Sequence, residues 1–480
     1  MAAMAPEATM PLERATVGGS LEIPRIINGL WQLAGGHDKD VKIANASAAM
    51  DTFISSGLEA FDVADHYGDA ELVIGNHNAH EQSKGQEHLS SLFSTTDHIW
   101  DYTDDTYIHN LTHLTSLQSQ GRIAHLGLTN TDAAHLEMLL DTGFNIETNQ
   151  VSCSVIDLRP VRGRMSRLCA SRDVGLLCYG TLLGGFVSEK WLGQPEPADI
   201  DTLNWSLRKY LRFIWAAGGW ADFQVVLAAL DTVAKKHGVS IPAVATRWVL
   251  DLPAVKAVIV GTRLSAHSEK HIAENLLAFS VTLDDEDRAV IAKAQEGLRD
   301  IPGDCGDEYR RPPYLTAAGD LSHHVKETDR ARSVREAIAA GQRVEYLSGN
   351  KWEPICGYSR AVRVGSHIHI SGTTANPPVP SLSCVGGRSA KSQAVWALDI
   401  IEGALKALGS SMKDVVRTRV ILSNRKDAEA VSEAHGWRMH CVDVLPANTL
   451  IEATLYEDEF LVEIEAWAEV DSGARGTVPD

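Results

Sequence analysis

The stretch FDVADHYGDAE, residues 61–71, sets Asp62, Asp65, His66 and Tyr67 on one turn, directly after an apolar run and just before a helix-like segment. In a (β/α) barrel the side chains that do chemistry stand where strands end, at the C-terminal face. Titratable groups crowded onto a strand-to-helix turn therefore read as a site, and the pattern on either side decides whether the turn belongs to a barrel.

That pattern alternates from about Ile26 to Leu298, each short apolar run being followed by a segment of helical periodicity. Strands are expected at Arg25–Trp31, Glu59–Val63, Ile123–Leu128, Ile146–Ser152, Val174–Tyr179 and Lys256–Val260. Helices are expected at Tyr107–Gln120, Asp132–Asp141, Phe223–His237 and Leu283–Glu296, and Ser240 with Pro242 marks another helix start. Repetition over such a length fits a (β/α)8 TIM barrel, with a doubly wound sheet as the next best fit. Between Gly184 and Ala221 an insertion carries Trp191, Trp205, Tyr210, Phe213, Trp215 and Trp220, which suits either an aromatic wall over the barrel mouth or rings that pack the insertion down.

The rhythm stops at Arg299, and IPGDCGDEYRRPP opens a stretch to Lys351 that reads as a connection. A second pattern starts near Trp352: a hairpin around Gly365-Ser366, a helix at Arg388–Leu408, a strand at Val415–Ser423, a helix at Asp427–Cys441 and strands at Thr449–Leu455 and Phe460–Glu469. This ββαβαββ order describes a compact α+β domain. The expected organisation is a flexible N-terminus over 1–19, a barrel over 20–298, a linker over 299–351, the α+β domain over 352–472 and a tail over 473–480.

With 44 basic and 63 acidic residues the net charge is -19, which argues against nucleic acid and anionic membranes as partners. The apolar stretch Val174–Val187 falls short of the roughly 18 residues a membrane span needs. Seven scattered cysteines, none at CxxC spacing, read as reduced thiols with no metal site, and the protein is expected to be soluble and cytoplasmic.

DVADHYGDAE, GLTN at 127–130, NQV at 149–151 and ENL at 274–276 together resemble the aldo-keto reductase family, in order, over roughly residues 20–297. The resemblance implies an NADPH-dependent carbonyl reductase. A carbonyl that accepts a hydride develops charge on oxygen and needs a proton; a tyrosine supplies it once a lysine ammonium lowers its pKa, an aspartate holds the lysine, and a histidine orients the oxygen. Carried over, Tyr67 is the acid, Asp62 the lysine's partner and His98 the histidine, while Asp65 and His66 read as loop residues. Thr129, Asn130 and Gln150 would bind the nicotinamide carboxamide, Tyr179 would stack on the ring, and Trp31 and Gly261 join the cofactor set. Asn130 reads equally as a helix cap, and Tyr179 as a core aromatic. Arg263 would meet the adenosine phosphate, favouring NADPH over NADH, with Glu274 and Asn275 near the adenine.

The lysine is the difficulty. Tyr67 and His98 are separated by room for about one βα unit where the family needs two, so the third strand, whose end carries the lysine, is missing or rewritten. The one lysine in the gap is Lys84, in the polar stretch HEQSKGQEH, which reads more readily as a solvated loop.

GYSRAV, HISGTT, PANT and LVEIEAWA resemble the Rid (YjgF) family, which implies trimers that hydrolyse reactive enamines and imines. The family's carboxylate-gripping arginine is replaced by Asn448, whereas Glu463 keeps the spacing of the glutamate that positions water. Asn448 cannot supply a guanidinium's charge or fork. Arg360, on one strand face with the pocket residue Tyr358, is an alternative carboxylate ligand, or else a solvent-facing charge. His367 and His369 alternate with isoleucines and read as strand surface rather than a metal pair. Two functions result: an NADPH-dependent reductase fused to a Rid-like domain that binds or hydrolyses imines, or an impaired barrel serving as a scaffold with a trimerising partner.

Overall fold

The computed structural model describes residues 12–33, 43–64, 67–83, 93–95, 99, 101–262, 264, 268–310 and 329–473. Their contacts fall into two units, one of Met1–His98, Leu117–Asp132 and Ile146–Asp320, the other of Ile99–Ser116, Ala133–Asn145 and Leu321–Asp480.

The first unit begins with a hairpin, β1 (Arg14–Val17) paired with β2 (Leu21–Pro24), where the sequence suggested a flexible terminus. The reason is burial: Val17 and Ile23 pack with Ile27, Leu177, Ala257 and Ile259, and this apolar contact outweighs the polar start of the chain.

Seven parallel strands follow: β3 (Ile26–Gly29), β4 (Phe61–Asp62), β5 (Phe93–Thr95), β6 (His125–Thr129), β7 (Thr148–Ser152), β8 (Gly175–Tyr179) and β9 (Val255–Gly261). They are hydrogen-bonded in the order β4-β3-β9-β8-β7-β6-β5. The first strand thus pairs with the last, Asn28 lying opposite both Phe61 and Val260, and such closure turns a parallel sheet into a barrel. Buried runs in β3, β6, β8 and β9 show both faces covered, as parallel sheets require. β5 was not anticipated in the sequence. Among the described residues β4 and β5 share no ladder, and the open seam falls where the third strand of a complete barrel would stand.

The insertion packs through its aromatics. Phe186, Trp191, Trp220 and Phe223 interlock with ring centroids 4.9 to 6.3 Å apart, so these rings pack. Asn204 caps the helix Trp205–Ala216, accepting from Leu207 N at 3.0 Å, and that helix carries Lys209 and Tyr210.

In the second unit β10 (Val344–Tyr346), β11 (Ala361–Val364), β12 (His367–Thr373), β13 (Val415–Leu422), β14 (Ala447–Glu452) and β15 (Val462–Glu469) form one sheet, ordered β10-β11-β12-β15-β13-β14. β10 lies in the stretch read as linker and extends the expected hairpin by one antiparallel strand. Helices Ala390–Ala407 and Ala428–Cys441 connect the strands. Two segments from the barrel part of the sequence join them: Tyr107 packs edge-on against Trp396 at 6.1 Å, and Tyr102 stacks on His135 at 3.3 Å. His135 Nε2 lies 2.9 Å from Asp399 Oδ2, while Arg438 donates to Asp399 Oδ1 at 2.9 Å and to Glu402. No single helix among the described residues is long and apolar enough to cross a membrane.

Candidate active site

Parallel strands deliver their last residues to one face, and four of them are laced together there. Gln150 on β7 donates from Nε2 to Asp62 Oδ1 at the end of β4, at 2.8 Å. Asn130, just past β6, donates its backbone N–H to the Gln150 carbonyl at 2.8 Å, and Thr129 Oγ1 lies 3.4 Å from the same oxygen. Tyr179, at the end of β8, gives its hydroxyl proton to Asn130 Oδ1 at 2.6 Å. Asn130 is only 4% exposed and sits at φ 55°, a left-handed conformation that asparagine tolerates better than most residues.

The expected acid stands in this neighbourhood. Burial raises the Asp62 carboxyl, partly offset by the Gln150 hydrogen bond, so the aspartate assigned to hold a lysine is held by an amide. Tyr67 is half-buried, and burial, then the Asp62 charge and the phenols of Tyr309 and Tyr210, push its hydroxyl well above the ordinary tyrosine value. Lys84, His98 and Arg263, with Asp65 and His66, lie outside the described residues.

The residues present fit a nicotinamide carboxamide. Gln150 spends its N–H on Asp62, and among the described residues its Oε1 accepts no hydrogen bond, leaving an acceptor at the strand ends. The Tyr179 ring and Trp31, in the single turn Trp31–Leu33 after β3, both lie within 5.5 Å of the Lys209 ammonium. At the other end of the expected cofactor, Gly261 closes β9 and is exposed. Glu274 and Asn275 are half-buried on the helix Ser268–Leu276, where Glu274 meets Lys270 at 3.8 Å and His271 at 3.5 Å.

In the second unit Arg360 is 5% exposed, so it is no solvent-facing charge. Its Nη1 donates to Gly372 O at 2.7 Å, Thr373 Oγ1 at 2.9 Å and Ser371 O at 3.3 Å, and its guanidinium lies 5.9 Å from the Tyr358 ring. Only one nitrogen is spent; Nε and Nη2 make no hydrogen bond among the described residues. Glu463 packs against Gly372 so closely that any Cβ there would collide with its carboxylate. Burial and the neighbouring Glu465 raise the Glu463 carboxyl, while Arg360 lowers it. Asn448 is exposed on β14, 3.3 Å from Thr418 Oγ1. His367 and His369 face outward on β12, and His367 meets Glu469 at 2.5 Å.

Residues 95–296 match the aldo/keto reductase family, and residues 348–470 match the family described as endoribonuclease L-PSP, the Rid family. The chain joins an aldo/keto reductase segment to a Rid segment. Flagellar radial spoke protein 5 of Chlamydomonas reinhardtii is 35% identical over 28% of this chain, which spans only 26% of that protein's length. The 6-dehydroglucose reductase of Agrobacterium fabrum is 22% identical over 52% of this chain and 88% of its own. The Mus musculus 2-iminobutanoate/2-iminopropanoate deaminase is 32% identical over 23% of this chain and 79% of its own.

The reductase segment also holds a group that sequence reading missed. Lys209, 6% exposed, donates from Nζ to the Tyr309 hydroxyl at 2.5 Å and lies 4.9 to 5.5 Å from the ring centroids of Tyr309, Tyr179, Tyr210 and Trp31. Burial alone would lower its pKa, but Tyr309, Tyr210 and Glu308 more than offset this, so the ammonium stays charged. Tyr309 belongs to the segment after the barrel, which two arginines anchor to the strand ends. Arg159, paired with Asp157 at 2.7 Å, donates to Glu308 at 2.6 Å and to Asp304 O at 3.0 Å. Arg310 donates to Asn130 O at 2.6 Å and to Cys305 O at 2.9 Å. The available signal was the density of GDEYRR directly after the last barrel helix, which a solvated linker does not need.

Proposed function

We propose that the reductase segment reduces a small carbonyl compound with NADPH, and that the Rid segment binds carboxylate-bearing enamine or imine metabolites in a cytoplasmic homotrimer. The observation that carries the first part is the Asp62–Gln150–Asn130–Tyr179 chain across four strand ends, with the Gln150 oxygen open to an amide. Bound NADPH would supply the hydride. The protein's own groups orient the carboxamide through Asn130 and Gln150, cover the ring with Tyr179, and present hydroxyls to the carbonyl oxygen. The charge of Arg263, if it meets the adenosine phosphate, suits NADPH over NADH.

The test is a fluorescence titration of the full chain with NADPH and NADH, followed by a panel of aliphatic and aromatic aldehydes monitored at the nicotinamide absorbance. Gln150→Ala is expected to weaken NADPH binding about tenfold, the worth of roughly one hydrogen bond. Equal affinity in the variant, or no binding by the wild type, would sink the reading.

A second reading, the barrel as a binding module, is favoured by the lack of a ladder between β4 and β5 among the described residues and by the upward push on Tyr67. NADPH binding with no turnover of any aldehyde would select it. In the Rid segment Arg360 stands in for the guanidinium that Asn448 lacks; Arg360→Ala is expected to abolish binding of 2-oxobutanoate, and an unchanged affinity would remove that assignment.

A further inference from the structure

We infer that Tyr309, backed by the Lys209 ammonium, is the group that donates the proton to the substrate oxygen, in place of the Tyr67 that the family resemblance suggests. The inference rests on the reductase reading and assigns its acid to residues that neither the family resemblance nor the motifs pointed to.

Three observations converge on the pair. First, Lys209 donates to the Tyr309 oxygen at 2.5 Å and, among the described residues, forms no salt bridge; Glu308 acts on it through space, while its hydrogen bond goes to that phenol. A cation that hydrogen-bonds a phenol oxygen stabilises the phenolate the donor becomes after losing its proton. Second, the pair lies at the nicotinamide end of the site: the ammonium is 5.5 Å from the Trp31 ring and 5.1 Å from the Tyr179 ring, and the hydroxyls of Tyr179 and Tyr309 are 3.3 Å apart. Tyr179 is not a rival donor, because its proton goes to Asn130 Oδ1 at 2.6 Å. Third, Tyr309 is half-buried, within reach of a ligand, and held in place by the Arg159 and Arg310 anchors. At Tyr67, burial, then the Asp62 charge, push the hydroxyl proton on more tightly.

The step balances. As the carbonyl carbon accepts a hydride from the reduced nicotinamide, the C=O π pair moves onto oxygen, and that oxygen takes the Tyr309 proton to give the alcohol. The Tyr309 phenolate, held by Lys209, regains a proton from solvent before the next turnover.

The experiment compares Tyr309→Phe, Lys209→Met, Lys209→Arg and Tyr67→Phe in the full chain, each checked for folding by circular dichroism. Tyr309→Phe is expected to lower kcat by about a hundredfold or more, the usual worth of a general acid, with NADPH affinity within about twofold. Lys209→Met should fall in parallel, Lys209→Arg should recover part of the loss, and Tyr67→Phe should cost less than about tenfold. A second readout needs no turnover: in protein labelled with ¹³Cζ-tyrosine and saturated with NADP+, the resonance that disappears in Tyr309→Phe should shift when acetone is added. Should Tyr67→Phe abolish turnover while Tyr309→Phe retains it, the assignment is overturned and the reductase reading stands. A wild type that binds no NADPH, with a Tyr309 resonance indifferent to acetone, removes both.

Discussion

Arg159 shows how much of the site depends on one cation that never touches a ligand. It is buried between Asp157 and Glu308, and removing it would strip both buried carboxylates of their short ion pairs, leaving Glu308 the longer Tyr179 contact at 3.4 Å. Arg159→Met is therefore expected to destabilise the reductase segment by about 3–5 kcal/mol, read from urea denaturation. Glu308 adds a pH signature. Burial would raise its carboxyl, but Arg159, and then Lys209, bring it down to about 2. A carboxyl depressed in the fold contributes stability above its unfolded pKa of roughly 4.3, and that contribution fades as pH falls through the folded value. Denaturation midpoints should hold from neutrality to about pH 5 and drop below it. Glu308→Gln should lower the midpoint at neutral pH and flatten the acid limb; an unaltered limb would count against this pairing. None of these partners was legible beforehand. Asp157 and Arg159 are two residues apart, but Glu308 lies 149 residues from Arg159, and all three look like ordinary surface charges until the fold brings them together.

At the level of elements, the sequence was informative wherever burial dictates a period. The strands around Ile27, Leu126, Leu176 and Val258 emerged within a few residues because both of their faces are covered. β5 escaped because FST is too short to show any pattern, and β10 because VEY sits in a charged context. Asp62, Asn130, Gln150 and Tyr179, which the fold brings together at the strand ends, were picked out by motif order, whereas Tyr309 was not, since its place depends on a loop folding back. Gly306 makes that fold-back possible. It sits at φ 83°, and a Cβ there would strike the Asn130 carbonyl and approach Arg310 Nη2 at 2.8 Å. Gly306→Ala should destabilise the segment by at least about 1–3 kcal/mol and reduce turnover with little change in NADPH affinity. Turnover equal to wild type would show that the loop does not position the chemistry.

At the scale of the whole molecule, the contact units do not respect the family boundaries. Residues 99–116 and 133–145 belong by sequence to the reductase segment and by packing to the unit built on the Rid sheet. No composition shift announces this, because Tyr107 and His135 look like any helix residues of a barrel; only the contacts of Tyr107 with Trp396 and of His135 with Asp399 reveal the exchange. Residues 329–473 expressed alone should consequently expose Trp396 and lose a partner of Asp399. Such a fragment is expected to bind a hydrophobic dye and self-associate more than the full chain, measured by fluorescence and size-exclusion chromatography. A fragment that is monodisperse and dye-silent would refute the interdependence.

The His135–Asp399–Arg438 cluster bears on inheritance as well as on folding. A gene that donated either half intact to another host would deliver a sheet stripped of borrowed helices, or helices stripped of their seat. Shuffling at the seam between the family signatures is therefore penalised, and the two ancestries are bound to be passed on together.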